Sequence, residues 1–231
     1  MVCSLVTSIF SNRLNRNENL MFSILASSFL IYTINLAAAE TRSTVEIARA
    51  YKDGGEYDRS WKGSGVPHEI RFQDERILAK GNGTYCCGFT FAVAMDAAAE
   101  RGLLADKLPD EIRAFQKRWY GATDQSAEVQ CGLALEKLGV GKRVPADEAR
   151  PGDFLQFWRT NKSGHSVVFL GWVTEGGRRL GFKYRSSQGS TKGIGDRVEY
   201  FAGVKGKDGL VDVKRMYFGR LSTGPADDAD P

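Results

Sequence analysis

Two adjacent cysteines and one histidine are the residues of this chain best suited to nucleophilic chemistry. Cys86 and Cys87 end the glycine-rich stretch Gly81-Asn-Gly-Thr-Tyr85. They open an alanine-rich run, Cys86 to Arg101, that reads as a long helix stopped by Gly102. A thiol at such a junction feels the helix dipole and the free first-turn N–H groups, which favour the thiolate. The same N–H groups can receive the oxyanion formed when a thiolate attacks a carbonyl. The plain alternative is a small, inert, buried cysteine.

A cysteine nucleophile needs a base, and histidine is the usual one. The chain holds two histidines. His68 lies in Val66-Pro67-His68-Glu69, which reads as a surface loop. His165 lies in Ser163-Gly-His-Ser-Val-Val-Phe-Leu-Gly171, at the entry to an apolar strand. The dipeptide Gly176-Gly177, between Glu175 and Arg178, reads as a hairpin turn. Centred there, paired residue numbers sum to 353, and His165 faces Gln188. An amide at that place would hold one imidazole nitrogen and leave the other for the thiol. A slipped register would put Ser186 or a neighbour there instead. A Cys–His–Gln constellation on a helix and two adjacent strands is therefore geometrically reasonable, drawn from Cys86 or Cys87, His165, and Gln188 or its neighbour.

The elements that must position these residues come in two blocks. Helices are expected over Thr44–Lys52, Cys86–Arg101, Pro109–Tyr120 and Ser126–Leu138, with Gly139 as the last stop. Residues 53–83 read mostly as loop. After Pro145 short β-branched or aromatic runs follow: Phe154–Trp158, Ser166–Val173, Leu180–Arg185 and Val211–Tyr217. Lys192 to Lys207 reads as a basic, solvated loop, and Trp119, Phe157, Trp158 and Trp172 as core or groove residues. Helices followed by an antiparallel meander indicate an α+β domain.

Leu20 to Ala39 carry no charge, follow Arg13 and Arg16, and end in Ala37-Ala38-Ala39. That pattern reads as a signal peptide over 1–39, with Met1 or Met21 as the start and a membrane anchor as the alternative. The segment holds two Arg and one Glu, so its removal lowers the net charge from +4 to +3. The expected product is a domain over 40–224 with an acidic tail, 225–231, working in a secreted or periplasmic location, without stable membrane association. A balanced charge of this size gives no reason to expect nucleic acid as a partner. A 42% apolar composition excludes a disordered chain.

Tyr85-Cys86-Cys87-Gly88-Phe89 resembles the Asp-Cys-Ser-Gly-Phe signature of the NlpC-type cysteine peptidases, papain-like enzymes of the bacterial cell wall. Pro151-Gly152-Asp153-Phe154-Leu155-Gln156-Phe157 resembles their Pro-Gly-Asp-Leu-x-x-Phe strand. Gly164-His165-Ser166-Val167-Val168-Phe169 resembles their Gly-His-Val-Gly-Ile strand. The order agrees over roughly residues 80–190. The resemblance implies a papain-like fold, with the nucleophile helix packed on the antiparallel sheet. It also implies a Cys86 nucleophile, a His165 base, Gln188 as the third polar residue, no cofactor, and cleavage of an amide bond in peptidoglycan stem peptides. A related amidase or acyl-transferase, and a non-catalytic wall-binding module, are the alternatives.

Tyr85 and Cys87 depart from the signature, and Cys87 stays open as a rival nucleophile. Tyr57, after Gly54-Gly55, matches a carbonyl-polarising tyrosine of the family but stands 29 residues before Cys86. Residues 53–83 are thus expected as an insertion over the cleft. Loss of Cys3 with the leader leaves Cys86, Cys87 and Cys131. A Cys87–Cys131 disulfide with Cys86 free is one expectation, three free thiols the other. Vicinal cysteines lack the x₂₋₄ spacing of a zinc site, so no metal is expected. A monomer is expected.

Overall fold

The computed structural model describes residues 41–223. The expected signal peptide, 1–39, and acidic tail, 225–231, lie outside the described residues. The first helix, α1 (Thr44–Ala50), starts on a capping box: Ser43 Oγ accepts the Glu46 N–H, and the Glu46 carboxylate accepts the Ser43 N–H. It ends against the buried Arg185 guanidinium, which donates to the carbonyls of Ala48 and Tyr51 at 2.9 and 2.8 Å. Helix α2 (Cys86–Glu100) is apolar on nearly every side. Phe89, Phe91, Ala92, Val93, Ala94 and Ala97 are all inaccessible, which makes it the central helix. Helix α3 (Pro109–Trp119) has Pro at its start and buries Ile112, Phe115 and Trp119, as its spacing predicts.

The expected helix over Ser126–Leu138 is shorter. Helix α4 is Cys131–Leu138, closed by left-handed Gly139. Thr123 and Ser126 bond each other's backbone N–H groups, which holds a separate turn upstream. Gln130, at φ 40°, then breaks the chain out of helical geometry.

The sheet strands are β1 (Gly54–Gly55), β4 (Gly141–Val144), β5 (Phe154–Arg159), β6 (Gly164–Glu175), β7 (Arg178–Gln188), β8 (Gly193–Tyr200) and β9 (Val211–Leu221). They form one antiparallel sheet in the order β1-β8-β7-β6-β5-β9-β4. The fold is α+β. The stretch 53–83 is mostly loop, as expected, and adds β1 and a separate hairpin of β2 (Ile70–Phe72) and β3 (Glu75–Leu78). One expectation needs correction. The Lys192–Lys207 region contains β8, whose Ile194 is buried while Arg197 points out. Its alternation is masked in the sequence by the glycines at 193 and 195.

The β6–β7 register explains how His165 reaches Gln188. Near the turn, Thr174 pairs with Arg179, a sum of 353. Leu180 then bulges out of β7, and Val173, Trp172 and Gly171 pair one residue further along. Leu170 bulges out of β6, and Phe169 returns to Tyr184 and Val168 to Arg185. The two bulges cancel, so the sum of 353 is restored toward His165 and Gln188.

Helices cover one sheet face, where Phe89, Phe91, Trp119, Phe154 and Val168 share a core. On the other face Phe157, Phe169, Phe182, Tyr184 and Phe218 form a second apolar cluster, with Trp172 half-buried at its margin. Among the described residues no helix is long and apolar enough to cross a membrane.

Candidate active site

Cys86 is the first residue of α2. The cap residue, Tyr85, has extended backbone and no side-chain cap bond, so no side chain occupies the first-turn N–H groups. Tyr85 does other work. Its ring is buried, its hydroxyl donates to the Gly63 carbonyl at 2.6 Å, and its N–H donates to the Gly65 carbonyl. The Tyr120 hydroxyl donates to the Ser64 carbonyl at 2.6 Å. A Cβ on Gly65 would lie 2.4 Å from the Tyr85 ring, and a Cβ on Gly88 would lie 2.2 Å from the Gly65 carbonyl. Only glycines allow loop and helix start to pack this closely. Tyr85 therefore anchors the 53–83 segment to the start of α2.

The same segment brings Tyr57 to the site. Tyr57 and Thr84 form a parallel bridge, with Asp58 N–H to the Thr84 carbonyl and Thr84 N–H to the Glu56 carbonyl, both 3.0 Å. Twenty-nine residues upstream in sequence, Tyr57 is thus bonded two residues from Cys86. Trp61 Nε1 donates to the Tyr57 oxygen at 3.3 Å, which leaves the phenol proton free to donate. Burial chiefly, opposed by the Trp61 N–H and aided by the charges of Cys86 and Cys87, pushes the Tyr57 hydroxyl above its ordinary range, so it stays protonated.

His165 is buried at the start of β6, directly opposite Phe157 of β5. The Pro-Gly-Asp turn sets this pairing. Asp153 is buried and forked by Arg220 at 2.8 Å, and it accepts the Arg150 N–H. Gly152, at φ 95°, lets the turn donate to Phe169.

His165 Nε2 lies 3.3 Å from Gln188 Oε1. The Gln188 amide nitrogen donates to Thr191 Oγ1 at 2.6 Å and to the Gly195 carbonyl at 3.3 Å. Those two acceptors decide which way the amide points. Its oxygen must face the ring and accept from Nε2–H, which leaves Nδ1 for the thiol. The sequence reading missed Thr191 and Gly195. The turn Gly189–Thr191 places Thr191 three residues after Gln188, a spacing suited to such a bond.

The Cys86 thiol is held well below its ordinary range. The Cys87 S–H bond to its sulfur comes first, and burial works against it. The His165 side chain and its charge, and the Ser166 N–H, supply the rest. Cys87 moves the other way: donating to a thiolate, next to that charge and partly buried, it stays a thiol. The lowered Cys86 and the raised Cys87 make Cys86 the nucleophile candidate. Cys131 is buried, and desolvation pushes it up to about 12. Cys86, Cys87 and Cys131 are all free thiols, which corrects the expected Cys87–Cys131 bridge. Cys87 is partly buried against the helix-side core that also holds Cys131, without a bond to it.

His68 is exposed and stacks on Tyr51, away from this cluster. Among the described residues no group of three or more His, Cys, Asp or Glu could hold a metal ion. No protein-family model, curated protein or solved structure matches the chain. What the site can do is therefore read from its own parts: a thiol held below its ordinary range, an oriented imidazole, and the uncapped first-turn N–H groups of α2.

Proposed function

We propose that this domain is a papain-like thiol hydrolase that cleaves an amide bond, with Cys86 as nucleophile, His165 as base and Gln188 orienting His165. The observation that carries this reading is the locked Gln188 amide. It commits Nε2 of His165 and leaves Nδ1 to serve Cys86. The Cys86 thiolate attacks the amide carbon, and the proton rests on His165 Nδ1. The oxyanion takes the Cys86 N–H and the Tyr57 hydroxyl as donors. His165 gives its proton to the leaving amine as the C–N bond breaks. Water, deprotonated by His165, then attacks the thioester and releases the acid and the free thiol.

The resemblance to the NlpC-type peptidases supplies the substrate expectation: a stem peptide of peptidoglycan, met outside the cytoplasm after removal of residues 1–39. The test is digestion of purified sacculi by wild type and by Cys86→Ala. Loss of released fragments with an unchanged circular dichroism spectrum supports the reading. Full digestion by Cys86→Ala, or its loss in Cys87→Ala with retention in Cys86→Ala, refutes it. Fragment masses identify the bond cut. They also separate hydrolysis from transfer of the acyl group to an amine.

A further inference from the structure

We infer that the buried ion pair Arg159–Glu199 is the positioning device for the His165 ring. The inference rests on His165 being the base proposed above. The imidazole sits between two rings, edge-on to both: Phe157 at 5.7 Å and 89°, and Tyr184 at 5.5 Å and 75°. Each of those rings is tied to the same ion pair. The Tyr184 hydroxyl donates to Glu199 Oε1 at 2.8 Å. The Arg159 guanidinium lies 4.9 Å over the Phe157 ring. Arg159 forks Glu199 through Nε at 2.8 Å and Nη2 at 2.5 Å. The contacts close a circuit: His165, Tyr184, Glu199, Arg159, Phe157 and back to His165.

The anchoring reaches the backbone. Arg159 N–H donates to the Ser163 carbonyl at 2.9 Å, and its Nη1 to Ser163 Oγ at 3.2 Å. Ser163 stands two residues before His165, so the pair also fixes the turn that delivers the histidine. Both charged side chains are mostly buried, at 16% and 10% exposure. A buried ion pair gains little net stability over an apolar substitute, because desolvation offsets the Coulomb attraction. Its value here lies in direction. Two rings that would otherwise rotate and slide are held so that Nε2 meets Gln188 and Nδ1 is the nitrogen left for Cys86.

The chain has two histidines, so ¹⁵N-histidine labelling of the full-length protein gives two ring spectra, and His68→Gln assigns them. In wild type the neutral His165 ring should hold the Nε2–H tautomer. Glu199→Gln should leave His165 a mixture of tautomers and lower kcat on purified sacculi about 10- to 100-fold, with KM within about twofold. Tyr184→Phe keeps the ion pair and cuts a single tie, and should fall between the two proteins on both readouts. Should Glu199→Gln fail to fold, Tyr184→Phe alone decides. A single Nε2–H tautomer and wild-type kcat in the folded variant overturn the inference. If the tautomer responds while Cys86→Ala still digests sacculi, the positioning stands and the hydrolase reading falls. If Cys86 is essential and the tautomer never moves, the reverse holds.

Discussion

Replacing Cys87 with alanine should raise the pH at which Cys86 becomes a thiolate by about one unit. The largest single cause of the lowered Cys86 value is the bond donated by the Cys87 S–H. A hydrogen bond to a charged group contributes about 1.5–3 kcal/mol. A thiol is a weak donor, which puts this bond at the low end. About 1.4 kcal/mol corresponds to one pH unit. The His165 side chain, the Ser166 N–H and the start of α2 remain, so Cys86 should stay below an ordinary thiol. The assay is the rate of iodoacetamide modification against pH, with the adduct assigned to Cys86 by peptide mass. Cys86→Ala gives the reciprocal result. Without a thiolate to donate to, Cys87 should fall back toward ordinary thiol behaviour. An unchanged or lowered midpoint in Cys87→Ala refutes the donor role. Rapid modification of Cys87 rather than Cys86 in wild type refutes the assignment of both sulfurs.

Gly88→Ala should destabilise the fold by about 3 kcal/mol in urea unfolding, because its Cβ meets the Gly65 backbone at 2.2 Å and neither partner is a flexible side chain. Gly102→Ala, with open space around it, should cost about 1–2 kcal/mol from its positive φ alone, less than Gly88→Ala. Glu199 makes an acid-sensitive contribution. Burial works against its charge, but Arg159 and Tyr184 hold its carboxyl below the ordinary value. Its stabilisation is therefore complete above an unfolded pKa of about 4.3 and is lost as pH falls through the lower folded value. Thermal unfolding of Glu199→Gln should vary less with pH between about 2 and 5 than that of wild type. Cys131 should resist iodoacetamide at neutral pH until the protein unfolds. Unfolded, unreduced protein should then show Cys86, Cys87 and Cys131 all modified; a mass showing Cys87 bridged to Cys131 would contradict their free state.

Much of the fold could be read from the sequence, because its signals are local. Ile112, Phe115 and Trp119 repeat at helical spacing, and Gly176-Gly177 marks a hairpin with no competing turn nearby. The hidden parts depend on contacts distant in sequence. Nothing around Gln130 announces a helix break, because the residue takes φ 40° while its side chain accepts from Ser166 on β6. Strand β8 was obscured because Gly193 and Gly195 weaken its alternation. Both are needed for packing: a Cβ at Gly193 would meet the Gly54 carbonyl oxygen at 2.0 Å, and one at Gly195 would meet Thr191 at 2.9 Å.

The site divides in the same way. The placement of Cys86, His165 and Gln188 was legible because a helix start, a strand entry and a hairpin sum each fix one of them. The hairpin sum succeeded only because two bulges cancel; either one alone would have shifted the partner of His165 by a residue. The groups that tune these three were not legible. Glu199 was hidden inside a run read as solvated loop, and Arg159 at a strand end looks like any exposed cation. Tyr85 and Cys87 looked like decay of a signature. In the structure each takes a definite part: Tyr85 pins the 53–83 segment that carries Tyr57, and Cys87 is the largest influence holding the Cys86 thiol low. The two departures make one physical case. A loop of this length can hold Tyr57 beside Thr84, two residues before Cys86, only if something anchors it at the helix start. With Tyr85 there in place of an acid, no carboxylate sits beside Cys86 to disfavour its thiolate.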